Sequence, residues 1–401
     1  MYILIKSTNM NDNDTPNPVW LSAEQAITLL GVARQTLYAY VSRGQIRARA
    51  DTTDPRRQQY DPQSVETLLR RRRIGRARTA VAQAAIDFGE PVLASRITNI
   101  ADGQPWYRGQ NAIRLAQTAT LEDAAALLWA TQRLPTPPRL AHAPIFGASP
   151  IARAIHGMAQ LADRENWAAG GPALIEDAAL CLRGVAGSAL GTPIDAAMAD
   201  LPIHRQLARA WRLDEDGTDL IRRALVLCAD HELNASTFAV RVVASTGAAL
   251  PHCVLAGLAA LSGPLHGGMT GRVRAMLAES RIMADPAGVV AERLARGEDL
   301  PGFGHRLYPD GDPRASALLD PIGPAPRWRG LFGAILTRTG KRPNIDTALV
   351  ALEQHLDLPE GSALALFAIG RTAGWIAHAL EQREDGQLIR PRATYLGPPP
   401  G

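Results

Sequence analysis

The chain has 401 residues, a formal net charge of +4, 46% hydrophobic residues and 5% aromatic residues. That length accommodates two or three domains with cores of their own, and an apolar set led by alanine and leucine favours helices over strands. So small a charge does not by itself point to nucleic acid. No run approaches the ~20 apolar residues of a membrane span, and Cys181, Cys228 and Cys253 lack metal-type spacing, so the expected setting is a reducing cytoplasm without membrane or metal.

Residues 1–18, rich in Asn, Asp and Pro, read as a disordered lead-in; Met1–Asp14 has no signal-peptide form, and Met10 is a second candidate start. Ser22-Ala23-Glu24-Gln25 has the form of a capping box, and Ala26, Leu29 and Leu30 follow at helical spacing. Gly31-Val32 breaks this helix. A second runs from Arg34 to Ser42, with Leu37 and Val41 on its inner face. Gln45–Ala50 is extended and leads through a turn-prone loop with Arg56 and Arg57 to Tyr60. Arg70–Arg73 form a basic run, either a solvated helix face with a linker or a phosphate-seeking patch. The stretch Leu-Gly-Val-Ala-Arg-Gln-Thr-Leu-Tyr-Ala-Tyr-Val-Ser-Arg-Gly resembles the winged helix-turn-helix of MerR and excisionase-type proteins. That resemblance implies a module over 19–75 in which Arg34, Gln35, Thr36 and Tyr38 open a recognition helix facing DNA. Arg56 and Arg57 would then be wing contacts to phosphate. A protein-binding or vestigial module is the alternative.

The body begins near Gln83. Ile97–Gly103 alternates and ends in a turn, so a short hairpin is expected, completed by Trp106–Gly109. Helices are expected over Leu121–Gln132, Ser149–Leu161, Pro172–Ala186, Arg205–Trp211 and Asp219–Asp230, separated by Pro and Gly clusters. Then come six short segments with chemistry in them: Ala229-Asp230-His231-Glu232-Leu233-Asn234-Ala235-Ser236-Thr237; Gly263-Pro264-Leu265-His266-Gly267-Gly268; Gly302–Arg314; Pro343-Asn344-Ile345-Asp346; Gly370–Trp375; and Arg390-Pro391-Arg392. In Gly302–Arg314, glycines flank Phe303 and lead into His305, and Pro309-Asp310-Gly311-Asp312-Pro313 forms a turn that delivers Arg314. An imidazole donor and a guanidinium fork on one loop suit a small carboxylate.

In this order the six segments resemble the citrate synthase family, over roughly Gln83 to Leu396. The resemblance implies condensation of acetyl-CoA with oxaloacetate and water to give citrate and CoA, with acetyl-CoA as a substrate and no cofactor. Asp346 is then the base on the acyl methyl group, and His266 donates to the thioester oxygen as the enol forms. His305 donates to the oxaloacetate carbonyl. Arg314, Arg371 and Arg390 hold the carboxylates, with His231 as a further donor. In the family the last arginine reaches the neighbouring subunit's site, which implies a homodimer. The fold expected is mainly α, a citrate-synthase-like two-domain helical fold preceded by the small winged helix-turn-helix module. A large domain covers 83–265 plus 361–401, and a small domain covers 266–360.

Each residue also has a plainer reading. His266 is a candidate helix cap, Asp346 a candidate N-cap for a helix over Thr347–Gln354, and Arg371 a candidate partner of a buried carboxylate. His378 is expected to be structural. The chain departs from the family after Gly268, where Met269-Thr270-Gly271 replaces Ala-Asn-Glu, and after Asp346, where Thr347-Ala348-Leu349-Val350 replaces Phe-Tyr-Ser-Gly. Two other functions stay open: a 2-methylcitrate synthase using propionyl-CoA, since one methylene in an apolar pocket is worth only about 1–3 kcal/mol, and a metabolite-sensing DNA-binding regulator.

Overall fold

The computed structural model describes residues 20–51, 54, 57–74, 93–136, 145–164, 167–168, 170–191, 201–279, 282, 284–323, 325–393, 395 and 397. The expected lead-in over 1–18, the linker after residue 74 and Arg56 lie outside the described residues. The chain forms two compact units, 1–94 with 393–401, and 95–392.

In the first unit α1 (Ala23–Leu30) starts at the expected capping box. Gln25 N donates to Ser22 Oγ (3.2 Å), and Ser22 N donates to Gln25 Oε1 (2.8 Å). Gly31 ends the helix at φ 60°, a conformation that a side chain disfavours. α2 (Arg34–Ser42) follows, then an antiparallel hairpin of β1 (Ala48–Ala50) and β2 (Gln58–Tyr60), then α3 (Pro62–Ile74). Asp61 begins α3 by accepting from Gln63 N and Ser64 N, and it also pairs with Arg47. Ala26, Leu30, Leu37, Ile46, Tyr60, Val65 and Leu68 form the core of this unit, with Val41 packed against it. Leu29, expected beside Leu30 on the inner face, is 52% exposed. The buried seam of the helix runs through Ala26 and Leu30, and Leu29 lies at its edge.

The second unit opens with a three-stranded antiparallel sheet, β3 (Thr98–Ala101), β4 (Gln104–Tyr107) and β5 (Gln110–Asn111), and becomes helical from α4 (Ala112–Leu115) onward. α5 (Leu121–Leu128) has a Thr120–Asp123 capping box but stops short of the expected Gln132. α6 (Pro150–Ala162) is capped by Ser149, and α7 runs over Gly171–Leu190. α8 (Ile203–Trp211), α9 (Glu215–Cys228), α10 (Ala235–Ser245), α11 (Leu250–Leu261) and α12 (Met269–Leu277) follow. Then come α13 (Pro286–Ala295), α14 (Pro313–Ile322), α15 (Pro326–Thr339), α16 (Ile345–His355) and α17 (Ser362–Asp385).

α17 is the axis of this unit and packs against α5 to α7, α9 to α11 and α16. By length and composition it could cross a membrane, contrary to the reading that no segment approaches a span. Of its most apolar stretch 94% is buried inside the protein, where it serves as a core helix. Its glycines allow close approach. A Cβ on Gly374 would lie 2.2 Å from Asp230 Oδ1 and 2.5 Å from Ala229 O, and Gly374 N donates to Ala229 O at 2.9 Å. α17 therefore lies directly against the end of α9. Arg241, 1% exposed, ties α10 to α17 through Gln382 (2.8 Å), Glu381 (2.6 Å) and Asp385 (2.8 Å). A second, smaller core of Met276, Ile282, Val289, Val290, Leu300, Phe303, Leu331 and Ile335 lies within the stretch expected to be the small domain. The main core also takes in Ala315, Leu318, Ile345 and Ala348–Leu352 from that stretch.

Candidate active site

The link between α9 and α10 carries His231. Glu232 takes φ 54° to make the turn, and Asn234 caps α10 by accepting from Thr237 N (3.1 Å). Tyr107, wholly buried, anchors the link by donating from its hydroxyl toward Val226 O and Asp230 O, each 3.1 Å away. Behind it Asp230 accepts from His378 Nε2 at 3.4 Å, with both side chains fully buried, so His378 is structural as expected.

The loop 302–312 is stitched to the entry of α16. Asn344 N and Thr347 Oγ1 donate to Gly302 O (2.9 and 2.7 Å), and Gly304 N donates to Arg342 O (2.8 Å). Gly302 sits at φ 82°, and a Cβ there would meet Thr347 Oγ1 at 2.2 Å. The threonine that replaces the family's aromatic thus fastens this loop. His305 Nδ1 accepts from Leu307 N (3.2 Å), which leaves the proton of a neutral ring on Nε2. The rings of His305 and His231 stand edge to face with centroids 5.0 Å apart, and Tyr308 OH is 3.0 Å from His231 Nε2.

Arg314 lies in the first turn of α14, not on the free loop. Asp312 caps the helix, Pro313 takes its first position, and Arg314 follows, 2% exposed. Its Nε and Nη2 donate to the two carboxylate oxygens of Asp312 at 2.9 and 2.8 Å, a bidentate pair. Arg371, 1% exposed on α17, is held differently. Its Nε donates to Cys228 O (2.9 Å), its guanidinium stands 4.8 Å from the Phe367 ring, and its Nη2 is buried with no hydrogen-bond partner. It is not the partner of a buried carboxylate by direct hydrogen bond.

Asp346 is the second residue of α16. The N-cap is Asn344, whose side chain accepts from Asp346 N (3.0 Å) and Thr347 N (3.4 Å), so the N-cap reading of Asp346 is corrected. Burial pushes that carboxyl up to about 7; Arg314 and Arg371 pull it down and Asp312 pushes it further up. A base poised there is matched to neutral pH. Burial, aided by the nearby arginines, lowers His266 and His305 to about 4 and His231 well below its ordinary value. In all three the shift favours the neutral imidazole over the cation.

His266 Nε2 lies 2.8 Å from Ser236 Oγ, and Trp375 Nε1 donates to the same oxygen at 3.2 Å. α12 has no side-chain cap, so the capping role considered for His266 is not observed. The Ser236 proton has two acceptors within reach, His266 Nε2 and Asn234 Oδ1 (2.7 Å). Given to Nε2, it leaves the imidazole proton on Nδ1, available to a ligand. His266 stands against Phe367, with ring centroids 6.2 Å apart, and Phe367 in turn touches Arg371.

His231, His266, His305, Arg314, Asp346 and Arg371 are thus linked by contacts and fields into one cluster. Arg390 is exposed and has no such link among the described residues. Tyr308, Asp312, Ser236 and Trp375 complete the cluster without having been singled out from sequence. Asp312 was detectable, because Asp-Pro ahead of a helix is a capping signal. The Ser236–Trp375 contact spans 139 positions and has no local signature. Among the described residues no three His, Cys, Asp or Glu side chains are grouped to hold a metal ion. In the first unit Arg34, Gln35 and Tyr38 are exposed on α2, Thr36 is half-buried, and Arg57 is exposed beside Asp54.

The family model for the citrate synthase C-terminal domain matches residues 176–392. The putative citrate synthase 2 of Mycobacterium tuberculosis is 42% identical over 188 residues, 44% of this chain and 50% of that protein. The 2-methylcitrate synthase 1 of Corynebacterium glutamicum is 35% identical over 185 residues, 44% and 49% of the two chains. The chain therefore spans about half the length of the curated relatives it matches. The structure of citrate synthase from Thermotoga maritima superposes with a TM-score of 0.65 at 27% identity, over 77% of this chain and 94% of that one. With a family model matching more than half of its length, on a mainly helical fold shared with a solved citrate synthase, the chain belongs to the citrate synthase family.

Proposed function

We propose that the chain is an acyltransferase that condenses acetyl-CoA with oxaloacetate and water, giving citrate and CoA. The observation that carries this reading is a pair of buried arginines, Arg314 and Arg371, one with an orphaned Nη2, within electrostatic reach of a carboxyl held near neutrality. Two cations suit a substrate with two carboxylates. Oxaloacetate would sit on Arg314, Arg371 and His231, with its ketone oxygen toward Nε2–H of His305. Asp346 would take a proton from the acetyl methyl group while Nδ1–H of His266 donates to the thioester oxygen; base and donor act together because a methyl beside a thioester is a weak carbon acid. The enol carbon then attacks the polarised ketone, and water cleaves the resulting thioester to release CoA. Residues 266–360 would form the small domain that closes over the site and excludes water. Arg390 would act in the neighbouring subunit's site of a homodimer.

The test is release of free CoA thiol from acetyl-CoA with oxaloacetate, run beside propionyl-CoA. Preference for propionyl-CoA would make the chain a 2-methylcitrate synthase; release from neither would end the reading.

A second reading concerns the first unit, which we propose contacts DNA in a winged helix-turn-helix manner. Its support is the exposed Arg34, Gln35 and Tyr38 on α2 and the exposed arginines of the hairpin, Arg49 and Arg57. Arg56 and Arg70–Arg73 would add phosphate contacts. Duplex binding that weakens steeply with salt is the expected signature; no salt-sensitive binding would make this a protein-contact module.

A further inference from the structure

We infer that Asp312 is a positioning residue that ties the anion-binding Arg314 to the helix bearing the base, Asp346. The inference rests on the condensation reading for its kinetic arm and on geometry for the rest. The Asp312 side chain is fully buried and all its acceptor directions are used. Oδ1 accepts from Arg314 N (3.1 Å) and Arg314 Nε (2.9 Å). Oδ2 accepts from Arg314 Nη2 (2.8 Å) and from Ile345 N (3.0 Å), the first residue of α16.

Two consequences follow from these bonds. Arg314 is fixed with two of its three guanidinium nitrogens committed, which leaves Nη1 as the nitrogen to meet a substrate carboxylate. α16 has the N–H of its first residue satisfied by Asp312, and those of its second and third by Asn344. The first turn of α16, and with it Asp346, is therefore held from two sides. The carboxylate grips the cation and the base helix at once, so a displacement of either is felt by the other. Its charge also opposes ionisation of Asp346.

The test compares full-length wild type with Asp312→Asn and Asp312→Glu. The asparagine can still accept from Ile345 N but turns an NH2 toward Arg314, so the guanidinium loses its bidentate partner. Oxaloacetate affinity by calorimetry is expected to fall at least about tenfold, as for loss of a buried charge-assisted pair. The acid limb of kcat/KM for the acyl-CoA should move to lower pH, because a negative charge beside Asp346 is gone and Arg314 is left uncompensated. Asp312→Glu should recover part of both. A purely structural role would lower thermal stability while the folded variant kept its oxaloacetate affinity and pH limb, and that result would overturn the inference. If Asp312→Asn does not fold, the double variant Asp312→Asn with Arg314→Met is compared with Arg314→Met alone; an unchanged acid limb would then overturn it. Wild type that binds oxaloacetate without releasing CoA defeats the condensation reading alone, since the calorimetric arm still decides on Asp312. Wild type that does not bind oxaloacetate overturns both.

Discussion

Arg314 and Arg371 are buried to the same degree, yet the two sides of the site treat them differently. At the start of α14 the cation is neutralised within its own helical turn by a carboxylate that also holds a neighbouring helix. In the middle of α17 the cation has one carbonyl, one aromatic face and an Nη2 with no partner. Removing a cation from water costs several kcal/mol unless hydrogen bonds and countercharge return it. One side therefore has its countercharge in place with Nη1 left over, and the other has a buried nitrogen without a partner.

The contrast is sharpest in the pair Arg314→Met and Arg371→Met. Arg314→Met leaves Asp312 buried without its partner, and breaking a buried pair in this way costs about 3–5 kcal/mol of stability; denaturant melts should register it. Arg371→Met removes a cation that has one carbonyl and the field of buried Asp230 but no directly bonded carboxylate. The ligand-free protein should lose less stability than Arg314→Met does, while oxaloacetate binding weakens by about 2–5 kcal/mol. Equal stability losses in the two variants would break the comparison.

A smaller effect is expected from Asp346→Asn in the pH dependence of stability. The folded-state pKa of about 7 lies above the ordinary 3.8. The folded state therefore holds the proton more tightly, and the stability this contributes is full below about 4 and lost as pH rises through about 7. The asparagine variant should match wild type near pH 4 and exceed it at pH 8. The depressed histidines shift stability in the opposite sense over the same window, so the measurement is the difference between the two proteins. A difference independent of pH would mean that the Asp346 carboxyl is not held near neutrality. The least effect is expected from deleting residues 1–75, which carry no member of the cluster; CoA release should stay within about twofold, as for changes remote from a site.

Much of the cluster was legible because its members sit in glycine-rich turns and caps, where residue type and spacing are locally constrained. His231, His266, His305, Arg314 and Asp346 lie in such segments or at the start of the helix that follows them, whereas Arg371 lies mid-helix and is read from the Gly370–Trp375 segment. What escaped was non-local or a matter of degree. Asn344 and Asp346 are both sound N-cap residues, and only the start of α16 at Ile345 decides between them. Asp312 reads as a cap, but its bond to Ile345 joins residues 33 apart. The apolar run of α17 is interrupted by Arg371, Thr372 and His378, which disguised its length from a search for an unbroken span; packing on many sides then placed it in the core. Arg390 carries a family motif yet is exposed and has no link to the cluster among the described residues, which is why its role is proposed for a neighbouring subunit's site.

The short separation of Asp312 and Arg314 also bears on the order of assembly. Two residues apart in one helical turn, they can pair as soon as that turn forms, at almost no loop-closure cost. Arg371 meets Cys228 across 143 residues, so its dehydration waits for the distant ends of the unit to meet. Burial of Arg371 is thus tied to long-range contacts of the unit, whereas that of Arg314 is tied to a single turn. A dicarboxylate bound at that seam acts only on the finished state and should slow unfolding more than it speeds folding. Unfolding rates measured with and without oxaloacetate would show this as a slower unfolding limb.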